Sequence, residues 1–337
     1  MNTKDLYNVL NRVVTGRISH SVMIWGPPGI GKSSIVSQIA QASGLSFIDV
    51  RLSQLAPTDL RGLPVPENGI SRWYPPEFLP REGKGVLFLD ELNMAPPAIQ
   101  GIAQQLILDR RVGSYAVPDG WYIWAAGNRK EDRASVFDMP APLANRFIHL
   151  AVEADLDTFA EYAINRKLNE MIVPFLKWKP ALLHSFQNDS AAWPSPRSWE
   201  MASSLMGAGI SPEYAVGEGA GAEFSAFCEM HKTLISLDAV LQGNGERLQF
   251  PEDDEPSKQY AVAVGLGIRA SGPEQGVAAF KWVAEKAAKE WLALFINTLQ
   301  SNLNTRKGEF RKFCELLKAI PNIDTTIWAE ISRAKQG

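Results

Sequence analysis

Five short apolar runs punctuate the first 152 residues: Val22–Trp25, Leu45–Leu52, Val86–Leu89, Trp121–Ala126 and Phe147–Val152. Before and between them apolar residues recur at spacings of three and four. Examples are Leu6, Val9, Leu10, Val13 and Val14; then Ile35, Val36, Ile39 and Ala40; then Ile99, Ile102, Ala103, Leu106 and Ile107. The runs predict strands and the spaced sets predict helices. Val86-Leu87-Phe88-Leu89 has no polar alternation, as expected of a parallel strand covered on both faces. Five strands alternating with helices predict an open α/β sheet that binds ligands at its strand carboxyl ends. Two hairpins interrupt the alternation, one over Leu63–Trp73 with Asn68-Gly69 at its tip, the other around Val112–Gly120. An Asn-Gly pair between extended residues is a strong hairpin signal.

After Glu153 the pattern becomes helical throughout. Helices are predicted over Leu156–Lys167, Leu168–Leu176, Ala181–Gln187, Arg197–Met206, Phe224–Leu237, Lys258–Arg269, Gly276–Leu299 and Gly308–Ala319. The long Gly276–Leu299 pattern, with Phe280, Trp282, Val283, Trp291 and Phe295, reads as buried core rather than a partner groove. No regular repeat or low-complexity tract is found. The expected organisation is an α/β domain over 1–152, a helical domain over 153–235 and a helical extension over 236–337.

Composition narrows the class. Of 337 residues, 45% are hydrophobic and 21% charged, ordinary values for a soluble protein with ample core. A net charge of −3 supplies no global basic field for a nucleic-acid backbone. Cys228 and Cys314 are too few for a disulfide framework, and the four histidines show no metal-ligand spacing. The N-terminal stretch lacks the apolar core of a signal peptide, and no apolar run approaches membrane-spanning length, so a cytoplasmic location is expected. The ten tryptophans read as core or interface anchors, and Arg306, Lys307, Arg311 and Lys312 as a solvated face.

The chemistry concentrates after the first strand, where Gly26-Pro27-Pro28-Gly29-Ile30-Gly31-Lys32-Ser33 leads into a helix. Strand, glycine loop and helix form the context of a phosphate-binding loop. Glycines allow successive N–H groups to turn toward one anion, and the helix adds its positive end. Pro27 and Pro28 have no N–H to give, so the cradle must begin at Gly29. Lys32 is placed to reach β- and γ-phosphates, and the Ser33 hydroxyl to ligate Mg²⁺. Asp90-Glu91 closes the third strand: Asp90 for the Mg²⁺, Glu91 to polarise the attacking water. Asn128, ending the fourth strand, is suited to orient that water. Arg146 stands before the fifth strand, and Arg197 follows Pro194-Ser195-Pro196 at a helix start. Each has a plainer reading, as a turn residue or a solvated arginine.

In order, Gly26–Ser33, Asp90-Glu91, Asn128, Arg146 and Arg197 resemble an AAA+ ATPase, in detail the MoxR family. Pro57–Gly62 is similar to that family's segment before an insert in its second helix. Asp90-Glu91-Leu92-Asn93-Met94-Ala95-Pro96-Pro97 is similar to its Walker B region, and Ser195-Pro196-Arg197 to its sensor 2. The resemblance covers roughly residues 20–210. It implies a P-loop AAA+ core with a five-stranded parallel sheet, an all-helical lid and a helical C-terminal extension. It further implies a ring, usually hexameric, with ATP and Mg²⁺ between subunits. The nucleotide would be held by Gly26, Pro28, Gly29, Ile30, Gly31, Lys32, Ser33, Ser34 and Asp90, with Mg²⁺ on Ser33 and Asp90. Glu91, Asn128 (sensor 1), Arg146 (arginine finger) and Arg197 (sensor 2) would be catalytic. Arg129 stands where a smaller residue is frequent, and Arg133 is near, so the trans-acting arginine is left open among them. The hairpins would contact the ring or a client, or serve as packing.

The function expected from this is ATP-driven remodelling, activation or maturation of a client protein, with a von Willebrand factor A-domain partner. A nucleic-acid-associated motor and a slow ATP-dependent assembly switch are the alternatives; net charge argues against the first. A GTPase is disfavoured because no Asn-Lys-x-Asp segment follows the fourth strand.

Overall fold

The computed structural model describes residues 1–132, 137–186, 190–232, 236–252, 254–304 and 308–318. The chain divides into two compact units, 1–155 and 156–337. Residues on both sides of the expected 235/236 boundary fall within the second.

The first unit begins with α1 (Thr3–Thr15), whose N-cap Asn2 accepts a hydrogen bond from the Asp5 N–H at 2.8 Å. Then come β1 (Ser21–Trp25), α2 (Lys32–Ala42), β2 (Ser46–Arg51), a single 3₁₀ turn (Leu52–Gln54) and α3 (Pro57–Arg61). The insert hairpin is β3 (Leu63–Glu67) and β4 (Ile70–Tyr74). It is followed by β5 (Gly85–Asp90), α4 (Pro97–Asp109), β6 (Arg111–Val112), β7 (Tyr115–Ala116), β8 (Trp121–Gly127), α5 (Ala141–Ala144) and β9 (Phe147–Ala151).

β1, β2, β5, β8 and β9 form one parallel sheet in the order β2-β5-β8-β1-β9. Alternate residues along each strand feed opposite layers. Val22, Ile24, Val86, Phe88, Trp124 and Ala126 pack with Leu6, Leu10, Val36 and Ile39 of α1 and α2. Met23, Leu87, Leu89, Ile123 and Ala125 pack with Ile99, Ala103 and Leu106 of α4. The sheet is thus covered on both faces, and β1 lies between β8 and β9 with its carboxyl end pointing at the glycine loop.

The first hairpin has the expected register, Leu63 opposite Tyr74 and Glu67 opposite Ile70. Asn68 (φ 49°) and Gly69 (φ 79°) supply the two left-handed residues of its turn. Leu63 and Ile70 stay 62% and 58% exposed, whereas Trp73 faces inward under the Arg61 guanidinium, 4.5 Å from the ring centre. The second hairpin is shorter than the sequence pattern predicts. It pairs only Arg111–Val112 with Tyr115–Ala116, because the Arg110 guanidinium takes the carbonyls of Pro118 and Trp121 at 3.1 and 2.8 Å.

Every regular element described in the second unit is helical. These are α6 (Leu156–Asn165), α7 (Ile172–Trp178), α8 (Pro196–Gly207), α9 (Glu213–Val216), α10 (Glu218–Lys232), α11 (Leu237–Leu241), α12 (Pro256–Arg269), α13 (Pro273–Lys286), α14 (Lys289–Asn304) and α15 (Glu309–Lys318). Three expectations are corrected. The helix expected over Ala181–Gln187 is absent from residues 181–186, where a 3₁₀ turn, Pro180–Leu183, is followed by His184 in extended conformation; Gln187 lies outside the described residues. The predicted Phe224–Leu237 helix is instead α10 and α11, the latter capped by Ser236, whose hydroxyl accepts from the Ala239 N–H. Gly276–Leu299 breaks into α13 and α14 at Ala287, which is extended (φ −116°, ψ 156°). Phe280, Trp282, Val283 and Phe295 are nonetheless buried together, as predicted. Asn302 Nδ2 closes the end of α12, donating to the carbonyls of Gly267, Ile268 and Ala270 at 2.8–2.9 Å. Arg311 and Lys312 are exposed; Arg306 and Lys307 lie outside the described residues. No described helix is long and apolar enough to cross a membrane.

Candidate nucleotide site

The glycine loop joins β1 to α2 with Gly29 and Gly31 in left-handed conformations, φ 84° and 91°. Gly31 is the N-cap of α2, and no side chain caps that end, so the first-turn N–H groups face the loop. Gly26 sits where a Cβ would stand 2.5 Å from the Val152 carbonyl oxygen, so only glycine fits beside β9. Ile30 is buried and pins the loop into the core, whereas Ser34 is exposed on α2. Lys32, 9% exposed, turns its Nζ back under the loop. It donates to the carbonyls of Gly26 (2.6 Å) and Pro27 (3.0 Å) and to Asn128 Oδ1 (3.1 Å).

Ser33 meets the end of β5, its Oγ donating to Asp90 Oδ2 at 2.7 Å. Asp90 Oδ1 accepts the Glu91 N–H at 2.8 Å. Glu91 holds a left-handed backbone conformation (φ 58°), unusual for a residue with a side chain, and its carboxylate accepts a hydrogen bond from Ser53 Oγ. Ser53 reaches it from the 3₁₀ turn after β2, because the β2–β5 register sets Arg51 against Asp90. The same register brings Asp49 close, and burial, then the charge of Asp90, push its carboxyl above the ordinary range, with Arg51 opposing and Glu91 adding.

Asn128 follows β8 and is 7% exposed. Its backbone is clasped from both sides by Asn93, which is 4% exposed. Nδ2 donates to the Asn128 carbonyl at 2.7 Å, and the Asn128 N–H donates to Oδ1 at 3.2 Å. With Oδ1 accepting from Lys32, the Asn128 amide turns Nδ2 toward Met94 Sδ at 3.1 Å. Gly127 lets Asn93 approach, since a Cβ there would collide with Asn93 Oδ1 and stand 2.6 Å from Met23 Cε.

The structure therefore brings together Gly26, Pro28, Gly29, Ile30, Gly31, Lys32, Ser33, Asp90, Glu91 and Asn128 at the carboxyl ends of β1, β5 and β8. Arg146 lies in the same unit, exposed, just after α5. Arg129 is engaged differently, with NH1 to Glu153 and NH2 to Asp132 both at 3.1 Å; the Asp132 bond leads in raising its basicity against the cost of burial. Arg133 lies outside the described residues. Arg197 is exposed on α8 of the second unit, next to Ser195, whose Oγ caps the helix by accepting from the Ser198 N–H at 3.1 Å. Ser53, the clasping role of Asn93 and the proximity of Asp49 have no local sequence signal. Each depends on register between elements far apart in the chain.

Among the described residues no group of three His, Cys, Asp or Glu side chains is arranged to hold a metal. The convergent Ser33 hydroxyl and Asp90 carboxylate are instead the sparse hard-oxygen pair that suits Mg²⁺, an ion that keeps waters and takes substrate phosphate oxygens.

Residues 21–147 match the AAA domain of the dynein-related subfamily. Midasin from Giardia intestinalis is 31% identical over 147 residues, 41% of this chain, and midasin from Dictyostelium discoideum 27% identical over 157 residues, 42% of it. Each match spans only 3% of the midasin. Among solved structures, NtrX from Brucella abortus in complex with ADP superposes over 94% of this chain and 66% of its own, at 17% identity and a TM-score of 0.41. A likeness that weak adds nothing to the reading of the site. The first unit is an AAA+ nucleotide-binding domain, of the class that hydrolyses nucleoside triphosphates.

Proposed function

We propose that the protein is a MoxR-type ATPase that forms a ring, hexameric as the MoxR resemblance implies, and couples hydrolysis to remodelling of a client protein. The observation that carries this reading is the convergence of Lys32, Ser33, Asp90, Glu91 and Asn128, with Arg146 exposed beyond them. The Gly29–Ser33 backbone and Lys32 bind the phosphates. Ser33 and Asp90 would hold Mg²⁺, which neutralises developing phosphate charge. Glu91, oriented by Ser53, takes a proton from the attacking water, and Asn128 positions that water. Arg146 reaches a neighbouring subunit's nucleotide, and Arg197, on the helical unit, is sensor 2 by the MoxR resemblance. A von Willebrand factor A-domain partner, which rests on the MoxR resemblance, and a cytoplasmic setting complete the reading.

The test is mass by light scattering with and without ATP and Mg²⁺, together with turnover, on wild type and Glu91→Gln. ATP-dependent growth to a ring, with hydrolysis abolished in Glu91→Gln, is expected. A monomer under every condition, with turnover independent of concentration, would remove the trans-acting arginine.

A further inference from the structure

β1 and β9 are adjacent, and the side chains at their carboxyl ends are joined. Trp25 Nε1 donates to His149 Nδ1 at 2.8 Å, and the two ring planes lie within 11° of each other. An indole N–H only donates, so Nδ1 is the acceptor and the ring proton sits on Nε2. That nitrogen lies 2.8 Å from the Ala144 carbonyl oxygen, which only accepts, so it donates there. Both imidazole nitrogens are thereby committed, and the tautomer is fixed from two sides.

The two partners of His149 lie beside different parts of the machinery, and neither belongs to it. Trp25 precedes Gly26, whose carbonyl accepts the Lys32 ammonium at 2.6 Å. Ala144 ends α5, two residues before Arg146, and the Arg146 N–H is bonded to Leu143 of the same turn at 3.1 Å. Leu143 is fully buried and anchors one side of this turn in the core, while Arg146 is exposed. His149 is the polar link that ties the exposed side back to the root of the glycine loop.

We infer that His149 is a positioning residue, holding the Ala144–Arg146 turn against Trp25 so that Arg146 is presented in a fixed geometry to the neighbouring subunit's nucleotide. This rests on the ring reading above and adds a specific device to it. A subunit's own loop root then sets the aim of the arginine it lends to its neighbour.

The test mixes two inactive variants. Glu91→Gln subunits hydrolyse nothing themselves but carry Arg146; Arg146→Ala subunits have an intact loop but no arginine to lend. Mixed, they are expected to recover hydrolysis at interfaces pairing the loop of one with the arginine of the other. His149→Ala added to the Glu91→Gln subunit is expected to cut the recovered rate about tenfold or more, the scale of a misaimed catalytic group. Added to the Arg146→Ala subunit, it is expected to leave the recovered rate within about twofold, because there the imidazole positions nothing that is used. Trp25→Phe, which removes the indole donor and keeps a ring, is expected to show the same asymmetry and serves if His149→Ala does not fold. Recovery unaffected by His149→Ala or Trp25→Phe on the arginine donor overturns the inference while leaving the ring reading intact. An equal loss on both subunits also overturns it, assigning His149 to support of the loop alone. No recovery in the parent mixture overturns the trans-acting arginine, and the inference with it.

Discussion

Asn93 offers the sharpest test of how the site is built. Replacing it by Ala removes both hydrogen bonds to the Asn128 backbone, at 2.7 and 3.2 Å, and leaves a buried N–H and a buried carbonyl without those partners. Each such loss costs about 1–3 kcal/mol. Asn128 lies near the surface at 7% exposure, so entering water recovers part of this, and about 2–4 kcal/mol in total is expected. For a unit of this size that is a fall in melting temperature of roughly 5–15 °C. Asn93→Asp separates polarity from volume. It keeps the shape and the acceptor for the Asn128 N–H but turns an oxygen toward the Asn128 carbonyl, so it is expected to cost at least as much. The assay is thermal unfolding followed by tryptophan fluorescence, with Trp124 buried on the same strand as the probe. ATPase turnover is measured in parallel and should fall with KM little changed if the displaced amide acts in the chemical step, as proposed above. Both variants melting within about 2 °C of wild type would refute the clasp as a source of stability. Unchanged turnover would refute its role in holding Asn128.

Gly127→Ala drives a Cβ into Asn93 Oδ1 and is expected to cost about 1–3 kcal/mol. In an Asn93→Ala background much of that cost should vanish, and a double-mutant cycle with no coupling would refute the crowding. Ser53→Ala frees the Glu91 carboxylate and is expected to lower kcat about tenfold with KM unchanged, measured by single-turnover hydrolysis. Asp49 is exposed on β2, yet partial desolvation and the charge of Asp90 raise its carboxyl, so its ionisation works weakly against the fold. That raised value makes its contribution most favourable below the unfolded value near 3.8 and lost as pH rises through the folded value. Asp49→Asn should therefore raise the melting temperature at neutral pH, with the gain shrinking toward pH 4; a gain independent of pH would contradict it.

The parts legible in the sequence are those whose signal is local. Gly29 and Gly31, the apolar Val86–Leu89 run and the Asn68-Gly69 turn each declare a backbone conformation within a few residues, and the strands and first hairpin follow from them. Where the determinant is a distant partner, the pattern misleads. Gly276–Leu299 keeps helical spacing across Ala287 although the chain turns there, because Val277, Phe280 and Trp282 on one side and Trp291 and Phe295 on the other feed the same core. No glycine or proline marks the break. The second hairpin ends early because Arg110 captures Pro118, a contact invisible to propensity. Within the site, Lys32, Ser33, Asp90, Glu91 and Asn128 were readable by type and order, whereas Ser53 and Asn93 matter only through the register that sets their elements beside Glu91 and Asn128.

The order β2-β5-β8-β1-β9 explains why so few side chains suffice. β1 is flanked by β8 and β9, so Asn128 arrives on one side of the glycine loop and the strand after Arg146 on the other. β5 lies one strand further, and Asp90-Glu91 reaches the loop through Ser33, while the following turn returns Asn93 to Asn128. Lys32 ties the loop to Asn128, and Trp25 with His149 ties its root to the Arg146 turn. Each link joins the carboxyl end of one strand to that of another, and none depends on the inserted hairpins. Substitutions that trim β3–β4 at Leu63 or Ile70 should therefore leave nucleotide affinity, basal turnover and the melting of the first unit nearly unchanged. A loss of ATP binding in a Leu63→Ser, Ile70→Ser variant, measured by calorimetry, would show that the hairpin supports the site after all.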